Sequence, residues 1–370
     1  MKTVLISGAG VAGLTLAYWL RRNGFAPTVV ERAPAIRPGG QAIDVRGVAL
    51  DVLERTGILD EARQARTRLR GMAMLDSDGN ELWRSTEMTY SGGRLDSPDI
   101  EVLREDLTRM LHRKTLAEDV EFLFGDSIAT LDEQPYGVRV GFEQGHARTF
   151  DLVVGADGLH SKVRRLALGP EERFVRHLGA YLTVFSTDNF LDLDHWELWL
   201  KDDSVGYCLY PVRDNSEMRA TLGFNSEPID YDYRDVEQQK SIMEERLAHI
   251  GWETPRLLRA MRQAPDFYFD AMAQIHLERW STGRVTLVGD AGYCASPLSG
   301  QGTSLALVGA YVLADELGRQ GDDHAAAFAR YEARVRPFAE LNQALATENP
   351  GGMPADESLE KAKNGMTLDD

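Results

Sequence analysis

The chain has 370 residues, a hydrophobic fraction of 43% and a formal net charge of −17. This length predicts two domains or one domain with a large insertion, and the hydrophobic fraction excludes a disordered protein. The negative charge argues against nucleic acid as a partner, because binding phosphates requires a basic face. No apolar run approaches the length of a membrane span, and two cysteines are too few for a disulfide framework, so we expect a cytoplasmic protein.

The N-terminal half begins with a pattern typical of alternating strands and helices. TVLIS at 3–7 predicts a strand, VAGLTLAYWLRRNG predicts a helix, and APTVVER predicts a second strand. Helices are predicted over 43–70 and 99–117, with a hairpin around Ser77–Asn80 between them. The runs VEFLFG, GVRVGFE and TFDLVVGADG predict three further strands.

The pattern changes between residues 178 and 226. YLTVFST, HWELWLK, VGYCLYPV and RATLGFN are short segments with partial alternation of apolar and polar residues, which predicts an antiparallel sheet. A helix is predicted over 234–264, a buried strand in GRVTLVGDAG, an apolar helix in TSLALVGAYVLADEL and a last helix over 323–347. The residues from Asn349 onward are rich in proline, glycine and charge, so we expect a frayed tail.

The run GAGVAG at 8–13 fits GxGxxG at the junction of the first strand and helix. Its glycines permit a tight turn, a close approach of backbone to a pyrophosphate and close helix–sheet packing, while the helix N-terminus attracts phosphate. Glu31 ends the second strand, where a carboxylate accepts hydrogen bonds from ribose hydroxyls and disfavours a 2′-phosphate. The motif predicts a site for NAD or FAD, with these cofactor-binding candidates: Gly8, Gly10, Val11, Ala12, Gly13, Glu31 and Arg32.

Three apolar runs in the chain end in glycine-rich turns. They are VLISGAG at 4–10, LVVGADG at 152–158 and TLVGDAG at 286–292. Ligands of open parallel sheets lie beyond the carboxyl ends of the strands. We therefore expect the three turns to converge on one extended cofactor that lies across the sheet edge.

Taken in order, GAGVAG with Glu31, DGLHSKVR at 157–164 and GDAGYCASPLSGQG at 289–302 resemble the motifs of the class A flavoprotein monooxygenases. These are FAD-dependent aromatic hydroxylases, and the resemblance is closest to the branch of tetracycline-inactivating monooxygenases. It implies an α/β fold: a GxGxxG Rossmann-like FAD-binding domain, an inserted, mostly antiparallel β-sheet substrate domain and a C-terminal helix. The segments are 1–71, 98–175 and 270–320 for the FAD-binding domain, 72–97 and 176–269 for the substrate domain, 321–348 for a bridging helix and 349–370 for a flexible tail.

The resemblance implies roles for the central motif and for one helix. Asp157 and Gly158 resemble a DG motif that supports the FAD pyrophosphate region and is linked to pyridine nucleotide use. Ser161 and Arg164 match its remaining positions, and a turn that caps a helix is the alternative reading of the segment. Arg104 matches an arginine that reaches the FAD from the third helix, with a solvated helix arginine as the alternative.

The resemblance also implies roles for the late glycine-rich loop. Asp290 hydrogen-bonds the ribityl chain, and the helix from Thr303 points at the flavin N1 and C2 carbonyl. Many relatives carry a histidine where this chain has Tyr293 or Cys294, so a role of that histidine is not carried over, and Cys294 is expected to pack rather than attach the flavin. Arg46 lies near the flavin or at the surface. The residues that wrap the isoalloxazine are Pro297, Gly300, Gln301 and Gly302.

The resemblance implies that NADH or NADPH reduces a non-covalently bound FAD and that O₂ adds to give a flavin C4a-hydroperoxide. Its distal oxygen then hydroxylates an aromatic or polycyclic, antibiotic-like small molecule. The flavin carries this chemistry, so neither a catalytic side chain nor a metal is assigned. The inserted sheet is expected to form the substrate pocket; its lining candidates, which ordinary core packing would also explain, are Phe185, Trp199, Tyr207, Tyr210 and Phe224.

Two other functions stay open. One is an FAD-dependent reductase or oxidase of the same fold, and the other is a non-catalytic protein that binds a planar ligand. Incorporation of label from ¹⁸O₂ separates a monooxygenase from a reductase or oxidase, and NAD(P)H-dependent flavin reduction separates an enzyme from a binder. The substrate and the oligomeric state, monomer or homodimer, are not fixed by the sequence.

Overall fold

A computed structural model of the protein describes residues 1–89, 92–201, 204–349 and 354–369. The strands are β1 (Thr3–Ser7), β2 (Ala26–Glu31), β3 (Ala42–Val45), β4 (Gly71–Leu75), β5 (Glu81–Ser85), β6 (Met88–Thr89), β7 (Gly93–Arg94), β8 (Ile100–Leu103), β9 (Glu121–Phe124), β10 (Ile128–Gln134), β11 (Gly137–Phe142), β12 (Arg148–Phe150), β13 (Leu152–Gly155), β14 (Val175–Asp188), β15 (Trp196–Lys201), β16 (Val205–Val212), β17 (Glu217–Asn225), β18 (Tyr268–Ile275), β19 (Ser281–Thr282) and β20 (Val285–Leu287).

The α-helices alternate with these strands in the first part of the chain and dominate the last part. They are α1 (Val11–Arg22), α2 (Val48–Thr56), α3 (Leu59–Gln64), α4 (Arg104–Ala117), α5 (Lys162–Leu168), α6 (Val236–Leu247), α7 (Thr254–Gln263), α8 (Asp290–Tyr293), α9 (Gly302–Gln320), α10 (His324–Glu348) and α11 (Asp356–Lys363). Within the described residues, none of these helices is long and apolar enough to cross a membrane.

The first layer is a six-stranded sheet with the order β19-β20-β13-β1-β2-β9. β20, β13, β1, β2 and β9 pair in parallel. The valine, leucine and isoleucine residues of β1, β2, β13 and β20 are buried, as expected for a parallel sheet covered by helices, and the apolar residues of the edge strand β9 are partly buried. Because β20, β13 and β1 are neighbours and run in the same direction, the glycine-rich turns that follow them lie side by side at one sheet edge.

The second layer is a seven-stranded sheet with the order β18-β14-β17-β16-β15-β4-β5. All its pairings are antiparallel except the parallel pairing of β15 with β4. One face packs against α6 and α7 around Met243, Leu247, Leu257 and Met261. The predicted α/β fold with an inserted, mostly antiparallel sheet is confirmed.

Three predicted helices are wrong in extent. In the segment 99–117, residues 100–103 form β8 and the helix α4 begins at Arg104. The segment 43–70 contains β3 followed by two helices, because Gly57 takes the left-handed conformation and ends α2. The segment 234–264 contains α6 and α7, which are separated by a turn where Trp252 also has a positive φ of 48°. In the last two segments the apolar spacing is continuous along the sequence, but a residue with a positive φ lies between the two shorter helices.

The inserted sheet ends later in the chain than predicted. β18 extends from Tyr268 to Ile275 and pairs with β14, so the boundary expected at residue 270 moves to about residue 276. The hairpin around Ser77–Asn80 is confirmed, and its two strands form the edge of the same sheet. The inserted domain is thus assembled from segments on both sides of β8 and α4.

The expectation of a flexible tail is wrong for residues 354–369, whereas 350–353 and 370 lie outside the described residues. α11 is ordered against the body of the protein, and Ala362 and Leu368 are buried. Lys363 forms an ion pair with Asp99, with an Nζ–Oδ2 distance of 2.9 Å. The charged composition of this segment predicted a flexible tail, but a few apolar and ionic contacts hold it against the rest of the protein.

Candidate active site

The GxGxxG turn contains glycines with two different surroundings. A Cβ on Gly8 would lie 2.5 Å from the carbonyl oxygen of Ala156, and one on Gly13 would lie 2.0 Å from the carbonyl oxygen of Gly8. A Cβ on Gly10 would meet no heavy atom of the described chain within 4 Å. Gly8 and Gly13 therefore permit close packing of the turn, whereas Gly10 leaves open space at the N-terminus of α1.

Glu31 is tied to this turn by its carboxylate. Its Oε2 accepts a hydrogen bond of 2.9 Å from the backbone N–H of Ala9, and its Oε1 accepts one of 2.9 Å from the N–H of Ala33. The end of β2 and the start of α1 are thereby held in a fixed relation. The carboxylate also borders the open space where a ribose would bind.

Asp157 caps α5. Its Oδ1 accepts a hydrogen bond of 2.5 Å from the Ser161 hydroxyl, and its Oδ2 accepts bonds from the backbone N–H groups of Lys162 and Val163 at 2.9 and 3.1 Å. Burial raises the pKa of the Asp157 carboxyl, although these donors oppose the shift. The capping role expected as the alternative is therefore present, and Asp157 and Gly158 still border the cavity.

Arg164 links the DG segment to the GD segment. Its side chain is fully buried; Nη1 donates to the carbonyl oxygen of Ala291 at 3.0 Å, and Nη2 donates to Leu159 O at 2.6 Å and to Glu171 Oε2 at 2.7 Å. A buried guanidinium requires such partners. This arginine holds the loops that follow β13 and β20 together from behind the cavity.

Asp290 begins the short helix α8, and its side chain opens into the cavity. Desolvation by the cavity walls raises the pKa of this carboxyl to about 6, against the effect of a hydrogen bond with Cys294. Its position beyond β20 agrees with the predicted contact to a ribityl chain. That contact stays a prediction.

Gln301 has a buried amide group, and neither its Oε1 nor its Nε2 has a hydrogen-bond partner among the described residues. It precedes α9, whose N-terminus has no side-chain cap and whose first residues, Gly302 and Thr303, line the cavity. Unpaired amide groups of this kind are costly in a protein interior. The N-terminus of α9 and Gln301 therefore offer donors and an acceptor to a ligand.

Tyr293 is buried beneath the loop instead of facing the cavity. Its hydroxyl is 3.1 Å from the hydroxyl of Tyr331 in α10, and its ring centroid is 4.4 Å from that of Trp280. Cys294 is also buried, and its Sγ donates to the carbonyl oxygen of Ala273 at 3.5 Å. The residues that depart from the family motif thus anchor the loop to α10 and β18.

One cavity of about 2030 Å³ runs from these turns to the inserted sheet. The predicted cofactor-binding residues converge there, with the exception of Gly13, which packs against the turn. Those that line it are Gly8, Gly10, Val11, Ala12, Glu31, Arg32, Arg104, Asp157, Gly158, Asp290, Pro297, Gly300, Gln301, Gly302 and Thr303.

Arg104 lies at the start of α4 and reaches the loop before β3. Its Nη2 donates to the carbonyl oxygen of Gly39 at 2.8 Å. Burial lowers the pKa of this guanidinium, but the group remains a cation at neutral pH. Arg104 is therefore a cavity residue and not a solvated helix arginine, and its contact with FAD stays a prediction.

The aromatic candidates of the inserted sheet divide between its two faces. Trp199 and Tyr210 line the cavity. Phe185, Tyr207 and Phe224 are buried on the opposite face, in the core shared with α6 and α7, so their prediction as pocket residues is corrected. Tyr207 and Tyr210 are three residues apart on β16, and side chains at odd spacing point to opposite sides of a strand.

The comparisons with known proteins agree with this geometry. A family model described as an FAD binding domain matches residues 1–346. A flavin-dependent monooxygenase of Legionella longbeachae is 41% identical, with 92% of this chain and 86% of the relative covered. The chain belongs to the FAD-binding flavin-dependent monooxygenases.

Two further relatives can be aligned over the whole length of this chain. An uncharacterised protein of Mycobacterium tuberculosis is 55% identical, with 100% of both chains covered. The crystal structure of tetracycline destructase Tet(51) superposes with a TM-score of 0.91 at 33% identity, again with 100% of both chains covered. The resemblance predicted from the three motifs is thereby confirmed.

The residues of this monooxygenase fit FAD. The open space at Gly10 accommodates a pyrophosphate that a side chain there would obstruct, and the N-terminus of α1 favours its negative charge. At the other end of the cavity, the unpaired amide of Gln301 and the uncapped N-terminus of α9 match the polar edge of a flavin ring. Gly10, Glu31, Asp290 and Gln301 are the residues that would hold the cofactor.

Sequence reasoning missed several cavity residues of the monooxygenase. Asp44 in β3 lines the cavity beside Arg46, and Leu359 and Lys363 reach it from α11. A signal for Asp44 was present, because AIDV places a lone carboxylate in an otherwise apolar strand. No comparable signal marked α11, whose contacts depend on the folded positions of distant elements.

Proposed function

We propose that this monooxygenase hydroxylates an aromatic or polycyclic small molecule, with NADH or NADPH as the electron donor and O₂ as the oxygen donor. FAD, when bound without a covalent link, supplies the oxygen-transfer chemistry. The observation that carries the proposal is a cavity lined both by the glycine-rich turns and by one face of the inserted sheet.

The size of the cavity supports two ligands. Its volume of about 2030 Å³ is about twice the upper end of the range, about 1,000 Å³, that is usual for small-molecule pockets. The turns after β1, β13 and β20 line one part of the cavity, and Trp199 and Tyr210 of the inserted sheet line another part. A flavin and a planar substrate therefore fit side by side.

The residues of the chain bind and orient the cofactor and enclose the substrate. Glu31 and the N-terminus of α1 hold the adenosine and pyrophosphate end, and Asp290 holds the ribityl chain. The N-terminus of α9 directs its positive end at the polar edge of the ring, where it stabilises negative charge that develops there. The apolar face of Trp199 covers the substrate and excludes water.

The relatives suggest where to look for the substrate. The structure with a TM-score of 0.91 is that of a protein described as a tetracycline destructase. We propose that a polycyclic compound of the tetracycline type is among the substrates. Aromatic polyketides and simple phenols are the other members of the class.

The experiment is oxygen incorporation by the purified holoenzyme. Protein loaded with FAD is mixed with NADPH or NADH, ¹⁸O₂ and a panel of tetracyclines and phenols, and the products are analysed by mass spectrometry. We expect substrate-dependent NAD(P)H oxidation and one labelled oxygen atom in the product. Gly251→Ser, at an open position remote from the cavity, serves as a matched control for preparation and handling.

The two alternatives give different results. Flavin reduction and product formation without label would establish a reductase or oxidase. Binding of the panel compounds without NAD(P)H-dependent flavin reduction would establish a binding protein. Acid precipitation that leaves all flavin in the supernatant verifies that the cofactor is non-covalent.

Two further expectations belong to the same proposal. We place the protein in the cytoplasm, where NAD(P)H is supplied; Cys208 and Cys294 are both free thiols, as a reducing compartment requires. A net charge of −17 argues against nucleic acid binding. Size-exclusion chromatography with light scattering separates a monomer from a homodimer.

A further inference from the structure

Asp44 and Arg46 form an ion pair inside the cavity. The distance between Asp44 Oδ2 and Arg46 Nη2 is 2.8 Å, and their side chains are only 10% and 7% exposed. Both residues line the cavity. A charged pair is thus kept in a largely desolvated position next to the space available to ligands.

The pair lies at the flavin-facing loop. A Cβ on Gly300 would be 3.9 Å from Asp44 Oδ2 and 3.8 Å from Arg46 Nη2. The backbone N–H of Arg46 donates to the hydroxyl of Ser304 in α9 at 3.1 Å. On the other side, the N–H of Ala42 donates to the hydroxyl of Tyr210 at 2.7 Å. The pair therefore lies between the loop proposed to hold the flavin ring and the sheet proposed to hold the substrate.

Among the described residues, two further carboxylates act on Asp44. Glu101 is its direct partner across the β3–β8 ladder, and Asp99 precedes β8 and is paired with Lys363 of α11. Burial raises the pKa of the Asp44 carboxyl to about 7; Arg46 opposes this shift, and Glu101 and Asp99 add to it. Asp44 can therefore accept a proton at neutral pH, as a general base must.

Other candidate bases in the cavity are less suited. Burial raises the pKa of the Tyr210 hydroxyl and of the Cys208 and Cys294 thiols well above their ordinary values, so these groups keep their protons. The ring of His160 is engaged on both nitrogens by carboxylates. Asp290 also has a pKa raised by burial, to about 6, but it lies beyond β20, where the ribityl chain is proposed to bind. Asp44 borders Gly300 of the flavin-facing loop, and its strand contacts Tyr210 of the substrate wall.

We propose that Asp44 is the general base that takes the proton from an ionisable hydroxyl of the bound substrate, a phenol or an enol. The O–H bond of the substrate breaks, its electron pair stays on the substrate oxygen, and the proton forms an O–H bond with the Asp44 carboxylate. Arg46, which paired with Asp44, then pairs with the new oxyanion, so the net charge of the site is unchanged. The inference rests on the proposed function and narrows its substrate class to compounds with an acidic hydroxyl.

The transfer has a chemical purpose. An oxyanion donates electron density into its ring or double bond, which makes the neighbouring carbon a better nucleophile toward an electrophilic oxygen. Without a base in a desolvated cavity, the charged form of the substrate would be disfavoured. Asp44 and Arg46 together supply the acceptor for the proton and the partner for the charge.

The test measures the proton that accompanies a bound probe and does not require turnover. 4-Nitrophenol is titrated in weak buffer into the FAD-loaded protein at about one pH unit above the Asp44 pKa of about 7, where the carboxylate and most of the free probe are ionised. Difference absorbance reports binding of the probe, and a pH indicator reports the protons taken up with it. We expect the wild type and Asp44→Glu to take up about one proton per bound probe, because the carboxyl must hold a proton beside the phenolate, whereas Asp44→Asn takes up none.

Asp51→Asn is the matched control, because Asp51 is an exposed acid on α2, outside the cavity. Flavin absorbance and the melting temperature show that each variant is folded and loaded. Proton uptake in Asp44→Asn equal to that of the wild type, or a wild type that binds the probe without taking up a proton, overturns the inference. Failure of the proposed function is seen separately, as absence of ¹⁸O in the products while binding of the probe still takes up a proton.

Discussion

Gly10 and Gly13 stand three residues apart in one turn, yet a side chain at each would meet different surroundings. At Gly13 a Cβ would overlap the carbonyl oxygen of Gly8, whereas at Gly10 it would enter open space. The φ of Gly10 is −82°, which any residue adopts. The backbone therefore does not require glycine at position 10, and the pyrophosphate proposed to bind there gives the reason for it.

Gly10→Ser should weaken FAD binding without weakening the fold. Serine is a good N-cap residue for α1, but its side chain occupies the space proposed for the pyrophosphate. We expect the Kd for FAD to rise at least about tenfold, or about 1.4 kcal/mol. Fluorescence titration of the apoprotein measures it, with Gly251→Ser as the control. Unchanged affinity in Gly10→Ser would place the pyrophosphate elsewhere.

Asp44 should make the stability of the apoprotein depend on pH. Its pKa is about 7 in the folded state against 3.8 ordinarily, so between these values the folded state keeps a proton that the unfolded state has lost. Raising the pH through this window therefore lowers the free energy of unfolding. From about pH 5 to about pH 7.5, we expect Asp44→Asn to lose less stability than the wild type, by on the order of a few kcal/mol.

Urea unfolding at the two pH values measures this difference. Asp51→Asn, an exposed acid on α2, should retain the wild-type pH dependence. Equal losses in Asp44→Asn and the wild type would mean that the Asp44 carboxyl is already ionised at low pH.

At the scale of elements, α11 shows how a charged segment is fixed. Lys363 lies 2.9 Å from Asp99, with side chains that are 6% and 9% exposed, and it also contacts Glu360 one turn earlier. Arg55 adds an exposed ion pair with Asp369 at 2.7 Å. Exposed pairs of this kind contribute little, so the buried pair is the important one.

Lys363→Met should destabilise the protein by about 3 kcal/mol, because it leaves the Asp99 carboxylate buried without its cation. Adding Asp99→Asn in the same chain should recover part of the loss, since the unpaired charge is then removed. Lys361→Met, at an exposed position of the same helix, should change the free energy of unfolding little. Chemical denaturation of the wild type, Lys363→Met, Asp99→Asn and the double variant measures the coupling between the two residues, and additive effects would contradict it.

At the scale of the molecule, His160 joins the two domains. Its Nδ1 is 2.8 Å from Glu171, its Nε2 is 3.1 Å from Asp270 in β18, and its ring is 4.8 Å from that of Tyr233. Burial opposes the charged form, but the two carboxylates outweigh it and raise the pKa of His160 to about 10. The imidazolium therefore acts as a charged bridge between the DG segment and the inserted sheet.

The wild type should lose stability at alkaline pH, and His160→Gln should not show this loss. The folded-state pKa of about 10 exceeds the ordinary 6.5, so the bridge stabilises fully below about pH 6.5 and is lost as the pH rises through 10. The wild type should lose more melting temperature than His160→Gln between about pH 7 and about pH 10. His146→Gln, at an exposed loop position, should behave as the wild type. Parallel pH profiles for all three proteins would contradict the bridge.

The sequence predicted features that depend on the local backbone. The turns at Gly8, Gly158 and Gly289 follow buried strands, and their positive φ angles require glycine, so a short motif carries the information. Their convergence followed from a rule about parallel sheets. The β-rich insertion was recognised because alternation is a local pattern.

Features that depend on distant partners were not predicted. Phe185, Tyr207 and Phe224 are aromatic like Trp199 and Tyr210, and only the direction of each side chain from the sheet separates core from cavity. α11 is ordered by contacts with residues far away in the chain, such as the ion pair with Asp99. Composition reports hydrophobicity and charge, but it does not report which face or which partner a residue meets.

The two-faced sheet of the inserted domain has a consequence for divergence among relatives. Leu182, Val184, Trp199, Tyr210 and Thr221 border the cavity, while their immediate neighbours in the strands fill the core against α6 and α7. Substitutions at the first set change the shape of the wall without creating holes in the second. New ligand preferences can therefore arise by single replacements in a scaffold that keeps its folding stability.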